Sequence, residues 1–415
     1  DGATPMPNRK GIAINNASNV IIGTNSDGIN DASEGNVISA NATHGIEIVG
    51  GGGSHTIAGN LIGTTPDGLT GLGDQSPGIT IGGNSVNNVI GGSTAAQRNV
   101  ISGNAGAGVR IRSTQGNTTV TGNFIGVDKT GGVALTNNGD GVVIDRSPDN
   151  TIGGTSVGER NIISGNSGYG ISVNFAEAIG NSIQGNYIGT DVTGTIGVGN
   201  SLSGVYMVFA GASNVIGGST PGAGNLISGN SQRGIFLSAT NGVVVQGNLI
   251  GTNATGAAGL GNVNDGVFFS GSGNNTIGGG QAGAGNLISG NGGYGIALSQ
   301  ATAIDNKIQG NLIGLNAAGN GLIGNSRAGI YTWGGATDNL IGTDGDGVDD
   351  AGETNTISGN AFAGISLSSG SNIVAGNHIG TDVSGTIALG NSGNGITIDG
   401  ADSSTIGGLD VGNVI

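Results

Sequence analysis

The sequence predicts an all-β chain that coils into a parallel β-helix, and three observations favour this fold. The motif G-[IV]-x-[aliphatic], with Phe or Thr at the last position in two copies, starts at thirteen glycines from Gly11 to Gly395, and consecutive copies lie 29–35 residues apart. Gly accounts for 93 of the 415 residues, but Pro, at 6, is too rare for a collagen-like chain. No segment carries the 3.6-residue apolar period over ten or more residues that an amphipathic helix requires.

Each repeat is predicted to contain three short strands. In the G-I-x-I strand the first and third residues after Gly face the interior, and the second and fourth face outward. Two N-x-I strands complete each repeat, as in NSIQG and NYIGT after Asn181. Asn and Gly fit the corners because both tolerate positive φ, and an Asn amide can bond along a stack of identical residues. About thirteen coils of about 32 residues should therefore pair in parallel around an aliphatic interior.

Two forms of the repeat alternate along the chain, with a longer period near 63 residues. One form has about 11 residues after IGT, as in TDVTGTIGVGN, and the other has about 6 after IGG, as in STPGAG. No break in composition interrupts this alternation. We therefore expect residues 1–415 to form a single β-helix domain. Because the sequence stops inside a motif at Val414 and Ile415, we also expect it to be a segment of a longer chain.

Charge and composition exclude several classes of function. The chain has 26 Asp and Glu against 11 Lys and Arg, a net charge of −15, which disfavours nucleic acid and anionic membrane surfaces as partners. The absence of Cys excludes disulfides, thiol catalysis and Cys-ligated metals. No apolar run approaches the ~18 residues of a membrane span, and no motif for an organic cofactor is present.

The repeated segments resemble those of a known fold family. The combination of NxIxGN, IGT, TIGG, NVISGN and GIxI is similar to the right-handed parallel β-helix repeats of the pectate-lyase-like superfamily. More narrowly, it resembles the Gly- and Asn-rich arrays of large secreted or surface-attached bacterial proteins, over almost the whole chain. The resemblance implies a right-handed coil and an extracellular or cell-surface location. It implies no single function, because this fold serves lyases, hydrolases, epimerases, adhesins and stalks.

Five aromatic residues fall on outward positions of the G-I-x-I strands. Four occupy the second position of the motif and one the fourth: Tyr206, Phe236, Phe268, Tyr331 and Trp333. Because parallel coils align equivalent positions in a row, we expect these side chains to share one face. Such a face is typical of a platform for a glycan or of a docking surface for a protein. The alternative is that a long loop of the same chain covers the row.

A charged cluster is predicted on the same face in earlier repeats. Arg110 and Arg112 lie on one strand, and Asp145 and Arg146 lie on the next, with Asp145 in register with Arg112. The β-helix lyases that this sequence resembles use an Arg or Lys as a base, and carboxylates that hold Ca²⁺ against an acidic sugar. These four residues are therefore the candidate catalytic set if the chain is an enzyme. The alternative is a surface ion-pair ladder worth less than about 1 kcal/mol.

Two acidic loops match each other position for position, NSDGINDASE at 25–34 and DGDGVDDAGE at 344–353. Three equivalent loops, GGSTAAQR, GGSTPGAG and GGGQAGAG, carry no carboxylate, so the turn itself does not require acidity. Oxygen-bearing side chains at alternate positions, with Gly at a bend, are typical of extracellular Ca²⁺ loops. The sequence therefore predicts Ca²⁺ sites formed by Asp344, Asp346, Asp349, Asp350 and Glu353, and by Asn25, Asp27, Asp31 and Glu34.

These features favour a non-catalytic extracellular or cell-surface segment, such as a stalk, adhesin or fibre component, that binds a glycan or protein at the aromatic row. The near-regular repeat and the missing carboxylate cluster support this hypothesis over two alternatives. One alternative is a polysaccharide-active lyase or epimerase that uses the charged cluster. The other is a filament subunit that self-associates through open coil ends or through the aromatic row.

Overall fold

The structure, a computed structural model, describes residues 7–408 and 411–415. It divides into two compact units, unit 1 (Asp1–Tyr206) and unit 2 (Met207–Ile415). The expectation of a single domain over the whole chain stays a prediction. Helical structure within those described ranges is limited to two single-turn 3₁₀ helices, Asp31–Ser33 and Val157–Glu159. None of the helices found there is long and apolar enough to cross a bilayer.

The strands of unit 1 are two to five residues long. In chain order they are β1 (Ile12–Asn15), β2 (Ile21–Gly23), β3 (Val37–Ile38), β4 (Ile46–Val49), β5 (Thr56–Ala58), β6 (Leu61–Ile62), β7 (Ile79–Gly83), β8 (Val89–Gly91), β9 (Val100–Ile101), β10 (Val109–Ser113), β11 (Thr119–Thr121), β12 (Phe124–Ile125), β13 (Val142–Asp145), β14 (Thr151–Gly153), β15 (Ile162–Ile163), β16 (Ile171–Asn174), β17 (Ser182–Gln184) and β18 (Tyr187–Ile188). The next strand, β19 (Val205–Val208), crosses the division of the chain.

The strands of unit 2 are two to four residues long. They are β20 (Val215–Gly217), β21 (Leu226–Ile227), β22 (Ile235–Ser238), β23 (Val244–Gln246), β24 (Leu249–Ile250), β25 (Val267–Ser270), β26 (Thr276–Gly278), β27 (Leu287–Ile288), β28 (Ile296–Ser299), β29 (Lys307–Gln309), β30 (Leu312–Ile313), β31 (Ile330–Trp333), β32 (Leu340–Gly342), β33 (Thr356–Ile357), β34 (Ile365–Leu367), β35 (Ile373–Ala375), β36 (His378–Ile379), β37 (Ile396–Ile398) and β38 (Thr405–Ile406).

In each unit every third strand pairs in parallel with its equivalent on the next coil, which builds three sheets. In unit 1, sheet 1 has the order β1-β4-β7-β10-β13-β16, sheet 2 runs from β2 to β17, and sheet 3 runs from β3 to β18. In unit 2, sheet 1 has the order β22-β25-β28-β31-β34-β37, sheet 2 runs from β20 to β38, and sheet 3 runs from β21 to β36. Each unit is thus a right-handed parallel β-helix with three strands per coil, which confirms the predicted fold class.

The interior of the coils is aliphatic, as the G-I-x-I motif predicts. From Ile46 to Leu367 its first and third residues are fully buried, for example Ile79 and Ile81 in unit 1 and Ile296 and Leu298 in unit 2, whereas Ile398 on the last coil is exposed. Burying one such side chain contributes roughly 1.5–3 kcal/mol. The repeated apolar positions therefore stabilise each coil against the next and leave the outward positions free to vary.

Asparagine ladders run along the corners, which confirms the role that the sequence predicts for these residues. In unit 1, Asn99 Nδ2 donates to Asn123 Oδ1 at 2.9 Å, and Asn123 Nδ2 donates to Asn161 Oδ1 at 3.1 Å. In unit 2, Asn248 Nδ2 donates to Asn286 Oδ1 at 2.9 Å. The same amides donate to backbone carbonyls, so each buried corner satisfies both the side chain and the turn.

A steric constraint explains the glycine that follows many N-x-I strands. Gly153 has a φ of 93°, in the region that favours glycine. A Cβ atom at this position would lie 1.9 Å from the backbone oxygen of Gln184 on the next coil. Any side chain would therefore force neighbouring coils apart at this corner.

Candidate functional site

Five aromatic rings lie together on the outer face of sheet 1 in unit 2. This aromatic cluster consists of Phe236, Phe268, Tyr294, Tyr331 and Trp333. Trp333 stacks on Tyr331 with ring centroids 4.7 Å apart, and on Phe268 at 5.6 Å. Tyr294 stacks on Tyr331 at 4.7 Å, and Phe236 contacts Phe268 at 5.3 Å. Every ring of the cluster is partly exposed, so within the described ranges no loop buries it.

The strand register explains how Trp333 reaches a ring two coils away. Phe268 on β25 pairs with Ala297 on β28, which pairs in turn with Tyr331 on β31. Ala297 has only a methyl group, and it is fully buried although it faces outward, because the rings on either side extend over it. The Trp333 ring spans the space above this alanine and contacts Phe268. One small residue between larger ones therefore makes the cluster continuous.

Two arginines and one carboxylate frame the aromatic cluster. Arg233 Nε donates to Asp265 Oδ2 at 3.1 Å, and its guanidinium lies 4.3 Å from the ring centroid of Phe268. Asp265 Oδ1 accepts the backbone N–H of Tyr294 at 3.0 Å. Arg327 Nη1 donates to the Tyr294 hydroxyl at 3.3 Å, and this bond raises the pKa of the Arg327 guanidinium. Asp265 is buried, so it organises the rings rather than meeting a ligand itself.

An open pocket of about 670 Å³ adjoins the aromatic cluster on the following coils of unit 2. Tyr294, Tyr331 and Arg327 form one side of this pocket. Hydroxyl, amide and carboxylate groups line much of the remainder: Ser326, Ser366, Ser368, Asn394, Thr397 and Asp399. Rings beside several hydrogen-bonding groups suit a ligand that has both apolar faces and hydroxyl groups.

The fifth aromatic residue predicted for the row, Tyr206, lies in unit 1 and has a partner that strand alternation does not predict. It stacks on Tyr169 with ring centroids 4.3 Å apart and an interplanar angle of 18°. Asp140 Oδ1 accepts the backbone N–H of Tyr169 at 2.8 Å, and Asp140 Oδ2 accepts the Ser172 hydroxyl at 2.6 Å. Burial raises the pKa of Asp140, although both of these bonds act to lower it.

The charged residues predicted in unit 1 lie close together, but their pairing differs from the strand register. Arg110 Nη2 bonds to Asp145 Oδ2 at 2.6 Å, and Arg146 Nη1 lies 3.5 Å from Asp145 Oδ1. Arg112, the residue in register with Asp145, lies over Gly82 of the preceding coil. A Cβ atom added at Gly82 would be 3.2 Å from Arg112 Nε. The structure therefore brings Arg110 and Arg146 together around the Asp145 carboxylate as an ion-pair network that does not include Arg112.

Three further titratable residues lie on earlier coils of unit 1, namely Lys10, His44 and Glu47. Lys10 Nζ bonds to the Glu47 carboxylate, and His44 Nδ1 lies 3.9 Å from Glu47 Oε1. Burial acts to raise the pKa of Glu47, but the hydrogen bond from Lys10 and the nearby cations outweigh it and hold this pKa below its usual value. Burial lowers the pKa of His44. At pH 7 the group therefore holds an ionised carboxylate beside a neutral imidazole.

Each acidic loop brings three of its predicted ligands together, with oxygen atoms within 4.8 Å of one another. They are Asp344, Asp350 and Glu353 in unit 2, and Asp27, Asp31 and Glu34 in unit 1. Asp346 and Asp349 lie outside the first group, and Asn25 Oδ1 accepts the backbone N–H of Asp27. Lys307 Nζ bonds to Asp344 Oδ2 at 3.0 Å, which places a protein cation at the unit 2 loop. Ca²⁺ binding at either loop stays a prediction.

Most of the side chains that frame these sites share one position in the sequence, immediately before the Gly of the G-I-x-I motif. They are Lys10, His44, Asp140, Tyr169, Arg233, Asp265 and Tyr294. Strand alternation does not cover this position, because it lies in the turn that precedes the strand. The available signal was the row of large polar and aromatic residues at one fixed offset from the repeated glycine.

Comparisons with known proteins concern the fold of this chain. No protein-family model and no curated protein matches it. It resembles the periplasmic alginate epimerase AlgG at 15% identity and a TM-score of 0.47, over 92% of this chain and 74% of that one. It also resembles the Dettilon tailspike protein (14% identity, TM-score 0.39, 93% and 61% of the two chains) and an Azotobacter vinelandii mannuronan C-5 epimerase A-module (16%, 0.39, 88% and 91%). These likenesses concern the parallel β-helix fold, which the strand order of each unit already shows.

Proposed function

We propose that this chain is an extracellular or cell-surface structural β-helix that binds a glycan at the aromatic cluster of unit 2. The observation that supports the proposal is the continuous set of five partly exposed rings on the outer face of sheet 1. Soluble proteins seldom leave a large apolar patch in contact with water unless a ligand or partner uses it. Tyr and Trp rings offer an apolar face together with a polar group, which suits a sugar.

The surroundings of the aromatic cluster favour a sugar over a protein as the ligand. The adjoining pocket contains several hydroxyl groups, an amide, a carboxylate and the Arg327 guanidinium, and each of these groups is able to hydrogen-bond to a sugar hydroxyl. A stable protein partner would need roughly 800 Å² of contact on each side with a largely apolar centre. The net charge of −15 opposes a polyanion at long range, so an uncharged glycan is the favoured ligand.

The location in this proposal rests on the sequence. The Gly- and Asn-rich repeats resemble those of secreted and surface-attached bacterial arrays, and 93 glycines with no Cys are consistent with that resemblance. A stalk, adhesin or fibre component is the role that combines a long regular coil with a binding face. The charged cluster of unit 1 would then act as a surface ion-pair network rather than as a catalytic site.

Trp333 gives a direct test, because it is the single tryptophan of the chain. Titration with uncharged hexaoses of the gluco, manno and galacto series should change tryptophan fluorescence and release saturable heat in calorimetry. Tyr331→Ala should weaken this binding at least tenfold, which corresponds to about 1.4 kcal/mol. Tyr187→Ala is the matched control, because that ring lies on sheet 3 of unit 1 against Arg160 and should leave binding unchanged. A flat response to every hexaose would reject the proposal.

The two alternatives predict different results with the same purified chain. A lyase or epimerase would release or epimerise product from a uronate polymer, and Arg110→Ala would abolish that activity; we expect no product. A filament subunit would show a mass that rises with protein concentration in sedimentation, and Trp333→Ala would restore the monomer if the aromatic cluster were the contact. Product formation would make the charged cluster a catalytic site, and self-association that Trp333→Ala abolishes would make the aromatic cluster a contact between subunits.

A further inference from the structure

The pocket beside the aromatic cluster spans three consecutive coils of unit 2. Its strand side is lined by the outward second residues of the motif on those coils, Tyr331, Ser366 and Thr397. These residues are in register on β31, β34 and β37. Adjacent strands lie about 4.8 Å apart, so this side of the pocket is about 10 Å long. The pocket therefore extends in the direction in which the coils stack.

Two alanines leave room for the pocket at its base. Ala328 and Ala363 precede the motif glycine on consecutive coils, and both are buried. On the coil before them the same position holds Tyr294, whose ring stacks on Tyr331. The sequence has alanine at this position on no other two consecutive coils. Because two methyl groups replace a tyrosine ring there, space opens between the turn and the strands.

Phe362 lines the turn side of the same pocket, and the coil does not require its ring. The residue is 61% exposed. Gly293 and Gly393 occupy the equivalent position on other coils of unit 2, and the Gly393 N–H donates to the Phe362 carbonyl at 2.9 Å. The turn thus pairs through its backbone, whatever the side chain. The Phe362 ring contacts no other ring within the described ranges, which leaves it for contact with a ligand in the pocket.

Hydroxyl groups lie in the pocket beside these rings. The Ser366 hydroxyl has no hydrogen-bond partner in the part of the chain that the structure describes. Thr397 Oγ1 accepts Asn394 Nδ2 at 3.1 Å, so the Thr397 hydroxyl can still donate its own proton. A sugar in the pocket would therefore meet apolar rings at Tyr331 and Phe362 together with hydroxyl groups, the combination that sugars need.

We infer that the pocket, with Phe362 as its specificity-determining residue, binds the sugar units that follow the unit held on the aromatic cluster. The ligand is then an extended oligosaccharide of about three or more hexose units rather than a mono- or disaccharide. This inference rests on the proposed glycan-binding function. One step between adjacent strands is comparable with the length of one hexose unit, so the two steps from Tyr331 to Thr397 accommodate about two further units.

A chain-length series tests this inference on the full chain. The probes are uncharged di- to hexasaccharides of the gluco, manno and galacto series, measured by calorimetry and by Trp333 fluorescence. The hexaose should bind about tenfold more tightly than the disaccharide, the size of effect that one well-placed aromatic contact gives. Phe362→Ala should remove most of this gain and leave the fluorescence response to the disaccharide unchanged. Phe175→Ala, which removes an exposed ring of unit 1 beside Arg146, is the control and should preserve the gain.

A second variant fills the pocket instead of removing its wall. Ala363→Tyr places a ring where Tyr294 carries one in an earlier repeat, so the position accepts tyrosine. It should likewise reduce the affinity for the hexaose to that for the disaccharide. Circular dichroism and thermal unfolding check that each variant forms the coil. The length dependence of the unmodified chain needs no variant, so the inference can fail even if both variants misfold.

The outcomes distinguish this inference from the function on which it rests. Equal affinities of the unmodified chain for disaccharide and hexaose, with a normal Trp333 response, would overturn the role of the pocket and leave the proposed function intact. A length dependence that folded Phe362→Ala and Ala363→Tyr both retain would have the same consequence. An absence of heat and of fluorescence change with every saccharide would overturn the proposed function itself.

Discussion

Units 1 and 2 are built from the same kind of three-stranded coil, but they carry different side chains on the outer face of sheet 1. In unit 1 the outward positions hold ion pairs, such as Arg110 with Asp145, whereas in unit 2 they hold the aromatic cluster. The inward positions are alike: Ile144 is fully buried in unit 1, and Phe269, 125 positions later, is fully buried in unit 2. The comparison teaches that the inward and corner residues stabilise the coil. The outward residues can therefore differ in charge and polarity between the two units.

One outward position shows how small the step between the two faces is. Ser172 in unit 1 donates its hydroxyl to Asp140 Oδ2, whereas the equivalent residue in unit 2, Ala297, has no hydroxyl. The equivalent oxygen of Asp265 accepts Arg233 Nε instead, and Arg233 lies over the rings. The alanine also leaves the space that Trp333 fills. Equivalent carboxylates therefore have different partners: Asp140 accepts a serine hydroxyl in unit 1, and Asp265 accepts the arginine that lies over the rings in unit 2.

The largest expected effect lies on the inward side, where the two units should behave alike. Phe269→Ala removes a fully buried ring and should destabilise the chain by about 3–5 kcal/mol in thermal or denaturant unfolding, since the cavity cannot close between fixed coils. Phe269→Ile, which copies Ile144 of unit 1, should cost less than about 2 kcal/mol. The outward variant Phe236→Ala is the control. An equal loss for Phe236→Ala would contradict the division between inner and outer positions.

A corner ladder supplies the second contrast, because unit 1 contains one Asp among its asparagines. Asn41 donates its backbone N–H and Nδ2 to Asp74 Oδ1 at 2.8 and 2.7 Å. Asp74 Oδ2 is buried and has no partner among the described residues. This oxygen occupies the place that an asparagine Nδ2 occupies on the next coil. A Cβ atom added at Gly45 would lie 2.5 Å from Asp74 Oδ2, and a Cβ atom added at Gly78 would lie 2.9 Å from Asn104 Nδ2. Burial raises the pKa of Asp74 to about 6, against the effect of the bonds from Asn41.

This raised pKa predicts a loss of stability with rising pH. A carboxyl whose pKa is higher in the folded state stabilises fully below its unfolded value, 3.8, and this contribution is lost as pH rises through about 6. Asp74→Asn should therefore stabilise the chain by about 1–3 kcal/mol at pH 8 and have little effect at pH 4, measured by thermal unfolding. The reverse change in unit 2, Asn291→Asp, should introduce the same pH dependence. A benefit of Asp74→Asn that does not vary with pH would contradict this account.

The two acidic loops provide the third contrast, a comparison of Ca²⁺ binding. Each loop that binds Ca²⁺ with a millimolar Kd should stabilise the folded chain by about 1.4 kcal/mol at ten times that concentration, relative to the same chain in EDTA. Glu34→Gln in unit 1 should remove more of this effect than Glu353→Gln in unit 2, because Lys307 already neutralises part of the unit 2 loop. Mg²⁺ at the same concentration is the control. Identical unfolding in Ca²⁺ and EDTA would show that both loops are simply solvated acidic turns.

The smallest expected effect concerns the charged face of unit 1. Arg110→Ala breaks the ion pair with Asp145, but the Arg110 side chain is 42% exposed. Water and salt screen such a pair, so the loss should be at most about 1 kcal/mol and should shrink further in 0.5 M NaCl. Arg112→Ala, which removes an arginine without that ion pair, is the control. A loss above about 2 kcal/mol would mean that the charged cluster stabilises the coil more than an exposed ion pair does.

The sequence predicts the location of the aromatic residues better than it predicts their partners. Outward positions of a parallel coil align in a row, so Phe236 and Phe268 were expected to meet, and they do. Tyr169 and Tyr294 were not expected, because they precede the strand and lie in a turn where no alternation rule holds. In the charged cluster, register predicts that Asp145 faces Arg112, but the guanidinium of Arg110 reaches it instead.

The sequence by itself determined the coil of each unit, because its constraints are local and recur. Period-two aliphatic residues, a Gly that no side chain can replace and an Asn that bonds to its own copy act in the same way on every turn. The tertiary structure alone decided which outward side chains meet. Those contacts depend on the rotamers of long side chains and on the backbone path through each turn, and neither quantity is periodic. Trp333 reaches Phe268 across Ala297 for this reason, and the repeat of the motif does not encode that contact.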